Sequence, residues 1–255
     1  ETLNFIKKNN ALNFLEKKIK DLHFFYNFKE TIKNNKNISL ISEIKKASPS
    51  AGILVENFNH LDIAKMYIDN GATCLSVLTE EKHFFGKLDY VTDIKKKFKI
   101  AILAKDFFID PYQVALSKSY GCDCILIIIA ALDDKLADEI YSEAIKHNLS
   151  VIVEVHDQKE AEAALKYKEA LIGINNRNLK TLNISINNTL SIFETVKDHG
   201  EPIISESGIK NADDAKFIFN KTGIKNFLIG ESLLKSDNLA KLMREILQIN
   251  QQNSA

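Results

Sequence analysis

The sequence predicts a single (β/α)8 TIM barrel with extra N-terminal helices, and two regularities support this fold class. Eight short segments rich in Ile, Val and Leu recur along the chain, and each is followed by a longer polar stretch. Buried parallel strands are near-continuous apolar runs, and their alternation with helices is typical of a parallel sheet. Eight such units in 255 residues match the number and size of this barrel. The segments are ISLISEI, CLSVLTE, IAILAKDF, CDCILIII, SVIVEV, LIGINN, PIISES and NFLIGES.

The polar stretches between these segments are predicted to be helices. Residues 112–121 and 161–170 place apolar side chains at helical spacing, and residues 213–223 end in a glycine that suits a helix C-cap. A doubly wound open sheet would show the same alternation. No GxGxxG turn follows the first segment, however, so the sequence favours the barrel.

One domain is predicted for residues 1–255, since no low-complexity linker interrupts the chain. Residues 38–255 would form the barrel. Residues 1–37 precede the first strand and carry apolar residues at helix-like intervals, so we expect a helical extension there. These apolar residues are Phe5, Ile6, Leu12, Leu15, Ile19 and Leu22.

The composition argues against several kinds of partner. Lys and Arg number 34, as do Asp and Glu, so no excess positive charge is available to bind nucleic acid or an anionic membrane. The longest apolar run, residues 124–132, is too short to span a bilayer, and the N-terminus lacks the apolar core of a signal peptide. The odd count of 3 cysteines argues against a disulfide framework. These features predict a soluble protein of the cytoplasm.

Charged residues stand at the ends of several predicted strands. Because strand residues alternate between faces, Glu43 and Lys45 lie on the face opposite Ile44. The active site of such a barrel lies at the carboxyl ends of its strands, so three cations and three carboxylates are expected to converge there. This combination suits acid–base chemistry. The further candidates from other strand ends are Lys105, Glu154, Asn175, Arg177 and Glu206.

A phosphate site is predicted after the last two strands, which end in SESGI (205–209) and IGESL (229–233). Loops at these places in a barrel often bind phosphate, because small residues let backbone N–H groups approach the anion. Gly208 and Gly230 hold these places; the alternative is that they are ordinary turn glycines. Ser48, in the Ser-Pro-Ser turn after the first segment, would add a hydroxyl.

Apolar residues at the same rim are predicted to line a flat pocket. Each alone is more often part of a core, but together they suit an aromatic substrate. They are Phe84, Phe85, Phe107, Leu126 and Leu179.

Neither a metal site nor a serine nucleophile is predicted. His83 and His156 have no partner at zinc-ligand spacing, and His156 with the following Asp157 resembles a loop or a helix cap. Ser205 and Ser207 lack the GxSxG elbow that a Ser-His-Asp triad of that type requires.

Seven stretches together resemble the indole-3-glycerol phosphate synthase family of tryptophan biosynthesis. They follow the family's order and cover the chain from about residue 40 to its C-terminal region, and the combination is specific where no single motif would be. The stretches are EIKKASPS (43–50), LTEEKHFFG (78–86), LAKDFFIDPYQV (103–114), EVHD (154–157), GINNRNLKT (173–181), SESGI and IGESL.

The resemblance implies a carboxy-lyase that converts 1-(2-carboxyphenylamino)-1-deoxyribulose 5-phosphate into indole-3-glycerol phosphate, with release of CO2 and water and without a cofactor or metal. Lys105 would be the general acid, Lys45 would bind the substrate carboxylate, and Glu154 would be the base of the dehydration. Glu43 would orient the lysines. The residues implied to position the substrate are Asn175, Arg177 and Glu206, with Ser48, Ser207, Gly208, Gly230 and Glu231 at the phosphate end.

Two other functions fit parts of the pattern. Another sugar-phosphate barrel enzyme, such as phosphoribosylanthranilate isomerase, would share the phosphate site, but the set of Lys45, Lys105 and Glu154 speaks against it. A catalytically inactive barrel that acts as a binding subunit is the other alternative. The expected partner is a small phosphorylated substrate, bound by a monomer that associates weakly with other tryptophan-pathway enzymes.

Overall fold

The structure, a computed structural model, describes residues 7–8, 12–49 and 51–249. Within these ranges eight parallel strands form a closed barrel, in which each strand pairs with the next along the chain and the last pairs with the first. The predicted (β/α)8 barrel is thus confirmed. The strands are β1 (Ser39–Ile44), β2 (Cys74–Leu78), β3 (Ile102–Lys105), β4 (Cys124–Ile128), β5 (Ser150–Val155), β6 (Leu171–Asn175), β7 (Ile203–Glu206) and β8 (Asn226–Ile229).

Helices precede the barrel and connect its strands. The helices are α1 (Leu12–Lys20), α2 (Phe28–Lys33), α3 (His60–Asp69), α4 (Leu88–Lys97), α5 (Tyr112–Ser119), α6 (Asp134–Lys146), α7 (Gln158–Ala164), α8 (Asn187–Val196), α9 (Ala212–Thr222), α10 (Glu231–Leu234) and α11 (Leu239–Leu247). Asn59, Asp133 and Asn211 cap the starts of α3, α6 and α9 by accepting backbone N–H groups of the first turn. Helix α9 ends at Gly223, whose φ of 74° is the left-handed C-cap that the sequence predicts.

Strand β1 is buried on both faces, and the two faces pack against different layers. Leu40 and Ile44 belong to the large apolar cluster between the strands and the helices, whereas Ile41 packs in the smaller cluster inside the barrel. Glu43 shares the inner face with Ile41, as the alternation predicts. The strand therefore carries a carboxylate up the interior of the barrel.

The N-terminal helices pack on the barrel and fill its base. Phe28 and Ile32 on α2 are fully buried and join the apolar cluster inside the barrel, while Leu15 on α1 packs with residues of α5. The backbone N–H of Tyr26, just before α2, donates a hydrogen bond of 2.8 Å to the buried carboxylate of Asp123. The predicted extra N-terminal helices are confirmed for α1 and α2. Phe5 and Ile6, which support the same prediction, lie outside the described residues.

The helix predicted for residues 161–170 is only half formed. Helix α7 ends at Ala164, and turns follow it. The hydroxyl of Tyr167 donates a hydrogen bond of 2.8 Å to Asp138 on α6, and its ring packs at 4.8 Å from the ring of Tyr141. The contacts of Tyr167 with α6 thus outweigh the tendency of residues 165–170 to continue the helix. Local sequence preference is only a weak determinant of helix length.

A short hairpin that the sequence analysis does not predict follows β1. Ala47–Ser48 pairs antiparallel with Gly52–Ile53, and Gly52 has a φ of 65°. Two-residue strands are too short to show a period in sequence. Ser48 therefore belongs to a short hairpin rather than to an open turn.

The cysteines of the chain are free and buried. Burial raises the pKa of the Cys74 and Cys122 thiols, so both stay neutral and unreactive at neutral pH. In the part of the chain that the structure describes, no helix is long and apolar enough to cross a membrane.

Candidate active site

Glu43 and Lys45 form an ion pair at the carboxyl end of β1. Glu43 is buried, and the hydroxyl of Tyr67 on α3 donates a hydrogen bond of 3.2 Å to its backbone carbonyl. Gly230, directly after β8, leaves room for the Glu43 side chain, since an added Cβ would lie 2.9 Å from the Glu43 Cβ and closer still to the carboxylate. The position of the buried Glu43 in this pair is therefore fixed by its neighbours.

Lys105, at the end of β3, lies between two carboxylates. Its Nζ is 2.7 Å from Oε2 of Glu154 on β5 and 2.7 Å from Oε2 of Glu206 on β7. The exposed fraction of the side chain is 16% for Lys105, 3% for Glu154 and 1% for Glu206, so water screens these charges weakly. Three strands that are not adjacent in the sheet thus build one acid–base cluster.

The members of this cluster differ in proton affinity. Burial alone would lower the pKa of Lys105, but the surrounding carboxylates, Glu154 first, outweigh it and raise that pKa. Burial raises the pKa of Glu206 to about 7; Lys105 opposes this shift and Glu154 adds to it. Burial alone would also raise the pKa of Glu154. The positive charge of Lys105, and then His156, outweighs burial and holds the pKa of Glu154 well below the usual range. Glu154 is therefore ionised at neutral pH while Glu206 is near its midpoint, which separates a base from a proton-carrying acid.

Asn175 and Arg177 stand at the end of β6. The Asn175 amide donates a hydrogen bond of 3.1 Å to Oε1 of Glu154, and its side-chain oxygen accepts the backbone N–H of Arg177 at 2.9 Å. The Arg177 guanidinium lies 3.9 Å from the carboxylate of Glu231 on α10. Asn175 thus holds one oxygen of Glu154, while Arg177 faces the loop after β8.

The loops after β7 and β8 lie side by side. Ser207 and Gly208 both have positive φ values, 66° and 79°, and turn the chain sharply at the end of β7. The next loop runs from Gly230 directly into α10. The Ser232 hydroxyl donates a hydrogen bond of 2.7 Å to the carbonyl of Ile209 and joins the two loops. These are the two loops where the sequence predicts a phosphate.

Two phenylalanines form an aromatic edge beside the lysines. The ring centroids of Phe84 and Phe107 are 6.4 Å apart, with an angle of 48° between the planes. The carboxylate of Glu80 accepts the backbone N–H of Phe84 at 3.0 Å, which holds its loop. Leu126 on β4 is buried below, and Leu179 in the loop after β6 is exposed. The apolar side of the site thus comes from β2, β3, β4 and β6.

These groups line one cavity of about 800 Å³ at the carboxyl end of the barrel, within the size range of small-molecule sites. Two sequence candidates are not among its lining. Ser48 is buried in the hairpin, where its hydroxyl accepts the backbone N–H of Ala51 at 3.2 Å, and the side chain of Phe85 is exposed. The candidates that line the cavity are Glu43, Lys45, Phe84, Lys105, Phe107, Leu126, Glu154, Asn175, Arg177, Leu179, Glu206, Ser207, Gly208, Gly230 and Glu231.

Asp106 also lines the cavity, although the sequence analysis does not single it out. Its carboxylate accepts the hydroxyl of Thr79 at 2.6 Å and the backbone N–H of Phe107 at 2.8 Å. Burial raises the pKa of Asp106 to about 6, and these two hydrogen bonds offset part of that rise. Its position directly after a strand-end lysine was the signal available in the sequence.

His156 lies closer to the site than its sequence context suggests. Asp157 does cap α7, as the sequence predicts. The His156 ring, however, lies between Glu154 and Glu160, with Nε2 at 3.2 Å from the first carboxylate and Nδ1 at 3.0 Å from the second. This placement depends on how the loop folds back over β5, which the sequence pattern does not show.

The fold and the cavity define the class of protein: a (β/α)8 barrel with a lysine–carboxylate cluster in a cavity at the carboxyl ends of its strands. No group of three or more His, Cys, Asp or Glu side chains among residues 7–8, 12–49 and 51–249 is placed to hold a metal ion.

Sequence comparison identifies the family. The model of the indole-3-glycerol phosphate synthase family matches residues 1–246. The chain is 39% identical over 233 residues to the indole-3-glycerol phosphate synthase of Desulforamulus reducens, covering 91% of this chain and 88% of that protein. It is 42% identical over 242 residues to the indole-3-glycerol phosphate synthase of Legionella pneumophila strain Paris, covering 94% of this chain and 92% of that protein. The chain belongs to the indole-3-glycerol phosphate synthase family, and the predicted carboxy-lyase function in tryptophan biosynthesis is confirmed.

Solved structures resemble the chain in fold. A 3-hexulose-6-phosphate synthase has a TM-score of 0.65 at 16% identity, covering 83% of this chain and 99% of the other. The phosphoribosyl anthranilate isomerase of Thermotoga maritima has a TM-score of 0.61 at 11% identity, covering 84% and 99%. At these identities the likeness shows the barrel fold alone.

Proposed function

We propose that the chain closes the indole ring by acid–base catalysis at Lys105, Lys45 and Glu154. The substrate is 1-(2-carboxyphenylamino)-1-deoxyribulose 5-phosphate, and the products are indole-3-glycerol phosphate, CO2 and water. The observation that carries this proposal is the position of Lys105 Nζ, 2.7 Å from the carboxylates of both Glu154 and Glu206 within the cavity.

Lys105 is assigned as the general acid of ring closure. The ring carbon that bears the carboxylate bonds to the ketone carbon of the sugar chain, and the ketone oxygen gains negative charge as this bond forms. A proton donor at that oxygen lowers the barrier. Lys105 suits this role because the carboxylates around it keep it protonated before the substrate enters.

Lys45 is assigned to the carboxylate of the substrate. Loss of CO2 after ring closure leaves an electron pair that restores the aromatic ring, so the carboxylate must be held until the new bond has formed. The Lys45 ammonium lines the cavity and is oriented by its ion pair with Glu43. Glu43 also adds to the negative charge around Lys105.

Glu154 is assigned as the base of the dehydration. After CO2 has left, the former ketone oxygen is a hydroxyl, and its departure as water requires a proton on that oxygen and removal of a proton from the neighbouring carbon. Glu154 is ionised at neutral pH and can accept the carbon-bound proton, while Lys45 is assigned as the later proton donor.

The rest of the cavity is assigned to binding. The phosphate would lie at the joined loops after β7 and β8, and the aromatic ring beside Phe84 and Phe107. Ser48 does not line the cavity, so it is not included among the phosphate ligands. The residues assigned to binding are Asn175, Arg177 and Glu206 along the substrate chain, Leu126 and Leu179 at the ring, and Ser207, Gly208, Gly230 and Glu231 at the phosphate.

One assay tests the proposal against its alternatives. The purified chain is incubated with the substrate, and indole-3-glycerol phosphate and CO2 are measured together. We expect equal amounts of both from the wild type and a loss of at least a hundredfold in Glu154→Gln. Wild-type turnover in Glu154→Gln would remove Glu154 from the mechanism, and absence of product from the folded wild type would favour the inactive binding subunit.

We further propose that the chain acts as one domain and as a monomer in the cytoplasm, with weak association to other enzymes of the pathway. The packing of α2 inside the barrel and of α1 against α5 supports the single domain. The balanced charge, 34 basic against 34 acidic residues, supports action on a small molecule rather than on nucleic acid.

A further inference from the structure

The ring of His156 links the proposed base Glu154 to a carboxylate outside the cavity. His156 follows β5, and its side chain is only 7% exposed. Its Nε2 lies 3.2 Å from Oε1 of Glu154, and its Nδ1 lies 3.0 Å from Oε2 of Glu160 on α7. Both ring nitrogens therefore face an oxygen of an acidic side chain.

Glu160 fixes the ring from behind. The same Oε2 that faces Nδ1 also accepts the backbone N–H of His156 at 2.8 Å, and Asp157 caps the backbone N–H of Glu160 at 2.9 Å. On the other side the Asn188 amide on α8 donates a hydrogen bond of 3.1 Å to the His156 carbonyl. The ring thus has a defined position between the start of α7 and the end of β5.

This geometry favours a charged ring. A carboxylate accepts hydrogen bonds and does not donate them, so a ring nitrogen that faces one is more stable with a proton than with a lone pair. The contact of Nε2 with Glu154 is close but not aligned as a hydrogen bond, and this buried nitrogen has no other hydrogen-bond partner among the described residues. A neutral ring would turn a lone pair toward one carboxylate, whereas an imidazolium is attracted to both.

We propose that His156 is a positioning residue of the reaction, a protonated imidazolium that holds the Glu154 carboxylate ionised and in place. The proposal rests on the role proposed above for Glu154. The Oε1 of Glu154 accepts a hydrogen bond from the Asn175 amide and lies beside the imidazolium, and its Oε2 accepts one from Lys105. When the substrate draws Lys105 toward the ketone oxygen, His156 remains as the cation beside Glu154.

Proton affinities support the same conclusion. Burial alone would lower the pKa of His156, but the carboxylates of Glu154 and Glu160 outweigh it and raise that pKa to about 9. Two other charged groups lie on the cavity side of Glu154. Lys105 contacts Glu154, and Glu206 contacts Lys105. The ring is therefore charged throughout the neutral range.

The first test is the protonation state of the ring. Nuclear magnetic resonance of the nitrogen-labelled full chain distinguishes imidazolium from neutral histidine, and His156→Gln identifies the signal of His156 by its loss. We expect both nitrogens to carry protons at pH 7.5 and to titrate near pH 9. A neutral ring at pH 7.5 would overturn the proposal.

The second test is the pH dependence of kcat, which reports the substrate complex, where Lys105 has been drawn toward the ketone oxygen and His156 is the cation beside Glu154. We expect His156→Gln to move the acidic limb of the profile up by about one pH unit, because Glu154 loses a cation that favours its charged form. Turnover at pH 7, where Glu154 stays ionised, should still fall about tenfold, because its carboxylate is no longer held in place. A folded His156→Gln protein with a profile that superimposes on the wild type would overturn the proposal.

Two further variants separate positioning from stability. His147 and Glu143 form a matched pair at 2.9 Å at the end of α6, so His147→Gln should lower the melting temperature without moving the profile. Glu160→Gln keeps hydrogen-bonding capacity but removes a negative charge beside His156, so it should lower the titration midpoint of the ring. An unchanged midpoint in Glu160→Gln would contradict the proposal even if His156→Gln fails to fold.

If Glu154→Gln is inactive while His156→Gln behaves as wild type, only the role of His156 is lost and the proposed function stands.

Discussion

Gly230 and Glu43 are packed so closely that position 230 cannot carry a side chain unless the Glu43 carboxylate moves. The glycine follows β8 and has a φ of −125°, so its backbone is not in the left-handed region that favours glycine. What requires a glycine here is the space of its neighbour on β1. The loop after β8 and the ion pair of Glu43 with Lys45 are therefore coupled.

This coupling predicts the effect of Gly230→Ala. The added Cβ should displace Glu43, lower kcat more than it raises KM, and destabilise the protein by about 1–3 kcal/mol, as overpacking of a core typically does. Unfolding in urea and steady-state kinetics would measure both. In a Glu43→Ala background the cost in stability should be smaller by about 1 kcal/mol, since the carboxylate is gone while the Cβ at 2.9 Å remains. Equal costs in the two backgrounds would show that the loop, not Glu43, requires the glycine.

The raised pKa of Glu206 predicts a pH dependence of stability. Burial favours the protonated form in the folded state, with a pKa of about 7, against an ordinary value of 4.5. The stabilisation from this proton is therefore complete below about pH 4.5 and is lost as the pH rises through 7. Glu206→Gln removes the titrating group. The free energy of unfolding of this variant should therefore rise relative to that of the wild type as the pH increases from about 4.5 to about 7. Urea unfolding at a series of pH values measures the difference, and a difference that stays constant from pH 4 to 8 would contradict the assigned pKa.

Phe28 should be a major determinant of stability that has no part in the chemistry. Its ring is fully buried in the base of the barrel, at the end opposite the cavity. Phe28→Ala should cost about 3–5 kcal/mol in the free energy of unfolding, with turnover per folded molecule unchanged. Phe24→Ala is the matched control, because that ring is 54% exposed and its loss should cost less than about 0.5 kcal/mol. Equal costs for the two variants would mean that α2 does not fill the base as described.

The sequence was informative where burial and repetition are strong. The eight apolar segments, the helix stop at Gly223 and the inward face of Glu43 all follow from periodicity and were predicted. Tyr167 shows the limit of that reasoning, since its hydrogen bond to Asp138 ends a helical pattern through a contact that is distant in sequence.

In the candidate site, too, some features could be predicted from the sequence and others could not. Strand-end charges such as Lys105 could be found because a barrel brings all strand ends together. The hairpin that takes Ser48 out of the cavity lining, the packing of Gly230 on Glu43 and the contact of His156 with Glu154 depend on loop conformations. Those conformations arise from tertiary contacts that no local pattern specifies.

The proposed mechanism depends on Lys105 acting as a proton donor and not only as a charge between Glu154 and Glu206. Lys105→Arg tests it most directly, because arginine keeps the positive charge but holds its proton too tightly to donate it. The measurement is kcat for indole-3-glycerol phosphate formation per folded molecule, together with the melting temperature. We expect a fall in kcat of at least a hundredfold with the fold retained, since general acid catalysis typically contributes about 10²- to 10⁴-fold. A folded Lys105→Arg protein whose kcat stays within threefold of the wild type would contradict it.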